Sequence, residues 1–444
     1  MTSQPARLLS LEVLETLRDA GYEAYWAGGC VRDLLLGETP DDFDVATDAT
    51  PRQVQELFGK RRTLAVGAAF GVIIVLGRRL PQGEVPQVEV ATFRADGSYS
   101  DGRRPDEVIY SSAEVDAQRR DFTINALFLN PLDSSAALED TPPGNDTLRA
   151  AVIDYIGGLD DLTARQLRAV GNPTQRFEED KLRLLRAVRF VQRLGDSHGF
   201  VLESQTRRAI RESAAAITVV SWERITQELS KMLRHPARSR GFEMLVEFEL
   251  FEPLFPELTR DAAASLESLP AVPHDEIAST WSLEVALAML LRSLDDSRIT
   301  TVARRMTLSN RQRDDVLWLK RAAAAMRTPI AKVSPADWKP VLAEDRSLAA
   351  IWLAHGIARD EGRSPEAVEQ WHARRAACDA VELDPPLLLT GADLLAAGYK
   401  SGPLFKDVLG TLRREQLEGV TTTREQALEA LPRLVANATP APPR

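Results

Sequence analysis

Residues 22–47, Tyr22-Glu-Ala-Tyr-Trp-Ala-Gly28-Gly29-Cys-Val-Arg32-Asp33-Leu-Leu-Leu-Gly37-Glu-Thr-Pro40-Asp41-Asp42-Phe43-Asp44-Val-Ala-Thr47, restrict the fold more than any other part of this sequence. The stretch reads as strand, glycine turn, short helix, breaker and strand. Tyr22 to Ala27 is compact and aromatic enough for a buried strand. Gly28 and Gly29 lack a Cβ, so the backbone can turn sharply and approach a ligand closely. The helix opening at Val31 directs its first N–H groups back at that turn, which favours an anion. Pro40 is expected to end the element. Asp42 and Asp44, two apart in the next strand, leave the same face, while Phe43 and Val45 face the other way. Adjacent carboxylates repel unless a cation lies between them. Beside a phosphate cradle, the natural cation is Mg²⁺ carrying a triphosphate. Either feature alone has an ordinary structural explanation, as a plain turn or a solvated strand edge. Their separation by one short helix favours the functional reading.

Composition narrows the class. The chain has 444 residues, 44% hydrophobic and 27% charged, which suits a globular protein of two to four compact units. No apolar run approaches the ~20 residues needed to cross a membrane, and no secretory signal pattern is visible, so a cytoplasmic location is expected. Cys30 and Cys378 offer neither a disulfide framework nor zinc-ligand spacing. The net charge of −10 argues mildly against a nucleic-acid partner until the charge is located. Residues 160–240 hold 16 Lys/Arg against 10 Asp/Glu, a basic stretch inside an acidic protein. That fits an RNA-contacting strip, or an arginine-rich solvated surface.

Along the chain, residues 7–20 are predicted to form an amphipathic helix burying Leu8, Leu11, Leu14 and Leu17. Pro51 to Phe58 reads as a helix with proline in its first turn. Thr63 to Gly77 and Gln87 to Phe93 read as strands, Asp121 to Leu129 as a helix, and Val152 to Tyr155 as a strand. The polar, glycine-rich Arg94–Pro105 segment is expected to be a mobile loop, and residues 133–149 an inserted polar loop. Beyond about residue 160 the strand signals vanish, and helical patterns continue, broken at Gly195 and at several prolines. The fold class is therefore α+β. A mixed head of residues 1–158 precedes a helical neck (159–250), body (251–380) and tail (381–436), with a disordered terminus at 437–444.

The pattern Gly-Gly-x-Val-Arg-Asp-x-Leu-Leu-Gly-x-x-Pro-x-Asp-x-Asp resembles the signature of the bacterial class II tRNA nucleotidyltransferases, which comprise the CCA-adding enzymes and the bacterial poly(A) polymerases. The resemblance implies a DNA polymerase beta-like nucleotidyltransferase head, with Asp42 and Asp44 as ligands of two Mg²⁺ ions and Gly28, Gly29 and Arg32 at the phosphates. Arg119-Arg120-Asp121-Phe-Thr-Ile-Asn125 resembles the family's second motif. Two arginines at a helix start oppose the dipole, so either an anionic ligand or a salt bridge to Asp116 or Glu114 must explain them. By resemblance, Arg120 contacts the nucleotide and the motif, Asn125 included, reads the ribose. Asp121 is either a third catalytic carboxylate or an orienting group for Arg120. The Arg94–Pro105 loop resembles the family's flexible loop, which helps switch specificity from CTP to ATP. Asp154 to Leu162 resembles the hinge motif, and Trp222 to Leu229 a structural neck element.

The sequence Glu179-Asp180-x-x-Arg183-x-x-Arg186-x-x-Arg189 forms a second centre. On one continuous helix, Leu184, Leu185, Val188 and Val191 would make an apolar stripe, with Asp180 and the three arginines fanning across the opposite face. Carboxylate and guanidinium together can match the Watson–Crick edge of a base. Out of context, the set could equally be surface ion pairs. It resembles the family's nucleotide-selecting motif. The implied reaction is template-independent addition of CMP, CMP and AMP to the tRNA 3′ end from CTP and ATP, with no obligate protein partner evident. An A-only enzyme, a poly(A) polymerase and a non-catalytic tRNA-binding protein are the alternatives. Ala68 and Ala69 stand where the poly(A) polymerases carry a basic pair, which favours CCA addition.

Overall fold

The computed structural model describes residues 4–67, 71–81, 83–96, 108–133, 146–270 and 281–438. The chain divides into two compact units, residues 1–232 with 240–256, and residues 233–239 with 257–444.

The first unit opens with helix α1 (Gln4–Asp19), which buries Leu9, Val13, Leu14 and Leu17. Leu8, expected on that face, is 61% exposed. The buried stripe follows the i, i+4, i+5, i+8 spacing of a true helix, and steps of three drift off it. Strand β1 (Ala24–Ala27) leads through Gly28 into α2 (Gly29–Leu35), and β2 (Val45–Thr47) follows. The left-handed Gly37 (φ +76°), and not Pro40, terminates α2. Helix α3 (Pro51–Phe58) has Pro51 in its first turn and a reciprocal cap between Thr50 and Gln53. Strands β3 (Thr63–Gly67), β4 (Val72–Leu76) and β5 (Gln87–Thr92) come next, then a hairpin of β6 (Arg94–Asp96) and β7 (Val108–Tyr110). The tip of the expected mobile loop, residues 97–107, lies outside the described residues; its base is this antiparallel pair.

After α4 (Ala113–Gln118), the helix expected over 121–129 is absent. Thr123–Asn125 makes a single 3₁₀ turn, and Phe128–Leu129 is β8, paired with β1. Phe128 and Leu129 are both fully buried, in core clusters on opposite faces of the sheet, which only an extended chain allows. Helix α5 (Asp146–Ala150) and β9 (Val152–Ile153) complete a seven-stranded mixed sheet of order β3-β4-β5-β2-β1-β8-β9. Trp26, Val45, Val90 and Leu129 pack with α1 and α3 on one face, and Ala27, Ala46, Phe93 and Phe128 with α4 on the other. The parallel β2–β5 pairing sets Val45 opposite Val90. Asp44 and Glu89, one position earlier in each strand, are therefore neighbours on the opposite face.

The segment read as a hinge is organised by one carboxylate. The Asp154 carboxylate accepts the backbone N–H groups of Ile156, Gly157, Gly158 and Leu159, opening α6 (Gly158–Thr163). A Cβ at Gly158 would lie 2.3 Å from the Thr123 carbonyl oxygen. That neighbour is backbone and cannot turn aside, so Gly158→Ala is expected to destabilise this unit by about 3 kcal/mol, at the upper end of overpacking costs. An unchanged urea midpoint would refute this.

Strands do not end at residue 160. β10 (Gln166–Leu167) and β11 (Val201–Leu202) form a small parallel pair that brackets α7 (Pro173–Glu179) and α8 (Leu182–His198). The single helix expected across 176–190 breaks at Asp180, which is extended (φ −147°, ψ 105°). Its carboxylate accepts the Leu182 N–H at 3.0 Å, a cap that an Asp makes more readily than it continues a helix. Gly195 lies inside α8, which ends instead at the left-handed Gly199. Helices α9 (Ser204–Ser213) and α10 (Trp222–Arg234) follow.

Among the described residues the second unit is wholly helical. Its C-terminal part has its own core of Leu389, Leu394, Val408, Leu412, Ala427, Leu431 and Leu434. Pro403 sits in the first turn of the helix Pro403–Leu417. His274 and Asp275, the one His-Asp pair of the sequence, lie outside the described residues.

Candidate active site

The twelve residues given a site role above line one cavity of about 720 Å³ in the first unit: Gly28, Gly29, Arg32, Asp42, Asp44, Arg120, Asp121, Asn125, Asp180, Arg183, Arg186 and Arg189. That volume suits a nucleotide-sized ligand. Nine Arg and Lys side chains line it against six Asp, a surplus that suits a polyanion.

Gly28 adopts φ +75°, and a Cβ there would sit 2.8 Å from Arg120 Nη1. The positive φ is what calls for glycine here, since the Arg120 side chain can move aside. Asp42 and Asp44 stand just before β2, not in it, though the pairing carries on as the Ala27 N–H donates to the Asp44 carbonyl at 3.0 Å. Phe43, between them, is buried against Trp26. Burial, then the charges of Asp42 and Glu89, push the Asp44 carboxyl up to about 7 against the pull of Arg120. Among the described residues neither the Asp42 nor the Asp44 carboxylate has a hydrogen-bond or ion-pair partner, and no third His, Cys, Asp or Glu joins them in a cluster able to hold a metal. A largely buried, unpaired carboxylate beside a second one is the donor set a hard divalent cation takes, with water and phosphate oxygens filling the other positions. Sequence reading missed Glu89. The β5 alternation and its pairing with β2 are the signals that bring it beside Asp44.

Asp116 and Asp121 are engaged. Asp116 is buried and accepts from Arg119 Nε (2.9 Å) and Arg120 Nε (3.1 Å), so the ion-pair explanation of the twin arginines is realised. Arg120 also donates to the Asn125 carbonyl at 3.0 Å and lies over the Phe128 ring. Asp121 does not orient Arg120. It accepts from Arg186 Nε (2.8 Å) and Nη2 (2.5 Å), from Asn125 Nδ2 (3.1 Å) and from the Phe122 N–H (2.8 Å). Burial alone would raise its carboxyl, but Arg186 and Asn125 outweigh burial and hold it at about 2. Arg32, expected to grip phosphate, is 2% exposed and engaged by Asp33 and by Asn125 Oδ1 (2.5 Å).

Arg183 donates through Nη1 to the Arg176 carbonyl (2.9 Å) and Glu179 (2.6 Å), and through Nη2 to the Arg119 carbonyl (3.1 Å). Arg189 pairs with Glu228 of α10 at 2.5 Å, and Asp180 with Arg224 of α10 at 2.7 Å. The guanidiniums of Arg32, Arg186 and Arg189 surround the Phe190 ring at 4.4–5.4 Å. All eight cavity arginines are thus paired with carboxylates; Lys231 is the one cavity cation without an ion pair among the described residues.

Residues 24–168 match the family described as Poly A polymerase head domain, and residues 199–261 match one described as probable RNA and SrmB-binding site of polymerase A. The CCA-adding enzyme of Levilactobacillus brevis is 33% identical over 419 residues, 94% of this chain and 95% of that one. This chain belongs to the CCA-adding enzyme family. The family's Lactiplantibacillus plantarum member is 31% identical and covers 98% of both chains. The crystal structure of the Bacillus stearothermophilus CCA-adding enzyme in complex with CTP superposes with a TM-score of 0.71 at 28% identity, covering 96% of each chain. The Thermotoga maritima enzyme complexed with tRNA shares the fold, with a TM-score of 0.62 at 22% identity. As a family member the chain is a nucleotidyltransferase with a helical remainder, and no described helix is long and apolar enough to cross a membrane.

Proposed function

We propose that this chain completes the 3′ end of tRNA by adding CMP, CMP and AMP in turn from CTP and ATP, releasing pyrophosphate at each step. The observation that carries this is the pair of uncompensated carboxylates, Asp42 and Asp44, opening on the same cavity as a paired arginine cluster that includes Arg183, and as Asp180. Asp42 and Asp44 would hold two Mg²⁺ ions, which supply Lewis-acid stabilisation of the triphosphate and lower the pKa of the primer hydroxyl. Gly28 keeps the backbone low enough for the triphosphate to approach, and Arg120 carries positive charge beside it.

The hydrogen-bonding groups left over account for the choice of base. Arg183 retains its Nε–H and one Nη2–H as uncommitted donors. Asp180 accepts from the Leu182 N–H and Arg224 Nη1 at Oδ1 and from Arg224 Nη2 at Oδ2, which leaves one lone pair on Oδ2. One acceptor and two donors complement the amine, N3 and O2 of cytosine, and the amine and N1 of adenine. Uracil and guanine turn a carbonyl toward the acceptor and an N–H toward the donors. Asp180→Ala is therefore expected to reduce the preference for CTP over UTP by ~10–100-fold, the worth of one unpaired polar contact. A kcat/KM ratio equal to wild type would leave Asp180 as no more than the ion-pair partner of Arg224.

The activity is tested with tRNA transcripts ending before the CCA, after each cytidine, and complete, each incubated with one NTP. Cytidine should be added to the first two, adenosine only to the transcript ending in CC, and nothing to the complete one. Adenosine tails on every transcript would make the chain a poly(A) polymerase, and failure to add cytidine an A-only enzyme.

A further inference from the structure

We propose that Arg224, on a helix read from sequence as purely structural, sets base specificity by limiting what Asp180 can accept. The inference rests on the base-reading role proposed for Asp180. Arg224 reaches the Asp180 carboxylate from 44 positions further along the chain and holds both oxygens, Nη1 on Oδ1 at 3.2 Å and Nη2 on Oδ2 at 2.7 Å. With the Leu182 N–H also on Oδ1, three of the four carboxylate lone pairs are occupied. A planar guanidinium bound at both oxygens also fixes the plane of the carboxylate, which a single hydrogen bond does not. Asp180 is thereby reduced from a swivelling, four-site acceptor to one acceptor in one direction.

The same helix supports the neighbouring side chains. Glu228, one turn beyond Arg224, is buried and accepts from Arg189. Arg224 itself is 27% exposed, so its removal leaves the buried core of the unit intact. Freed of Arg224, the carboxylate could rotate and take water as a bridge, and a bridging water donates as readily as it accepts. A carbonyl of uracil or guanine would then be tolerated. Arg224 acts through Asp180 and is a positioning residue.

The experiment compares wild type with Arg224→Ala, Arg224→Lys, Asp180→Ala and the Asp180→Ala/Arg224→Ala double variant, measuring kcat/KM for all four NTPs on a tRNA lacking CCA. Arg224→Ala should lower the CTP-to-UTP ratio by ~10-fold or more, Arg224→Lys by less, and the double variant should match Asp180→Ala alone, because both residues act through one contact. Lysine keeps the charge without the fork, so it also controls for loss of folding. If Arg224→Ala and Arg224→Lys lower the rates for all four nucleotides by a common factor while Asp180→Ala alters the ratio, Arg224 is structural only and the inference fails. If Asp180→Ala leaves the ratio unchanged, the base-reading role beneath it fails, and the inference falls with it.

Discussion

Asp44→Asn is expected to lower the turnover of nucleotide addition by at least ~10³-fold while leaving tRNA binding intact, because it would remove a ligand of the proposed cation without changing the fold. Asp44 lies in an environment that already resists its charge: burial and the adjacent Asp42 and Glu89 raise its carboxyl to about 7. No cation lies within salt-bridge reach of it among the described residues, and only the more distant Arg120 pulls the other way. Asp42→Asn should fall nearly as far, and the double variant hardly further, since the pair acts as one unit. Thermal stability should not drop, and replacing Asp44 by a neutral isostere relieves a desolvation cost. Single-turnover rates at saturating tRNA check the first part and a melting curve the second. Full activity in either single variant would remove Asp42 and Asp44 from the chemistry.

Asp121→Ala is expected to act in the opposite way, through the fold first. Its carboxylate compensates the Arg186 guanidinium, and removing one partner of a buried pair costs ~3–5 kcal/mol. Glu228, 3.8 Å from Arg186, offsets part of this, so the lower end is expected. Activity should fall as well, since Asn125 and Arg186 lose their common anchor. The pair also predicts a pH dependence. The carboxyl is held near 2, below the unfolded value of about 3.9, so its contribution is complete above about pH 4 and is lost as pH falls toward 2. The wild-type and Asp121→Ala unfolding midpoints should therefore converge in that acid window. Wild-type stability of Asp121→Ala at neutral pH, with turnover as low as that of Asp44→Asn, would instead make Asp121 a ligand of the catalytic cation.

Much of this site was legible because its parts lie close together in the chain. Gly28, Asp42 and Asp44 lie within seventeen residues, and local periodicity was enough to place them on one side of a sheet strand. In the structure all three line one cavity. Partners distant in sequence were not legible. Asp121 and Arg186 are 65 residues apart, and Asp180 and Arg224 are 44 apart, with nothing local to mark either pair. The break at Asp180 was missed because the apolar spacing of Leu182, Leu184 and Leu185 runs smoothly up to it, and the competing N-terminal cap shows only once the backbone is known. Phe128–Leu129 failed as a helix for a related reason. Two adjacent fully buried residues are ambiguous in sequence, and only a two-faced core makes them a strand.

The eight paired arginines have a consequence for how the cavity handles its cargo. A triphosphate arriving there does not fall onto bare positive charge; it must displace or share carboxylates already seated. Binding is then an ion exchange, in which little net charge is neutralised and few counterions leave the protein. The nucleotide KM should therefore vary only shallowly with salt, whereas tRNA affinity should vary steeply. Pyrophosphate release should be eased by the same arrangement, because the displaced carboxylates are on hand to reclaim each guanidinium as the product departs.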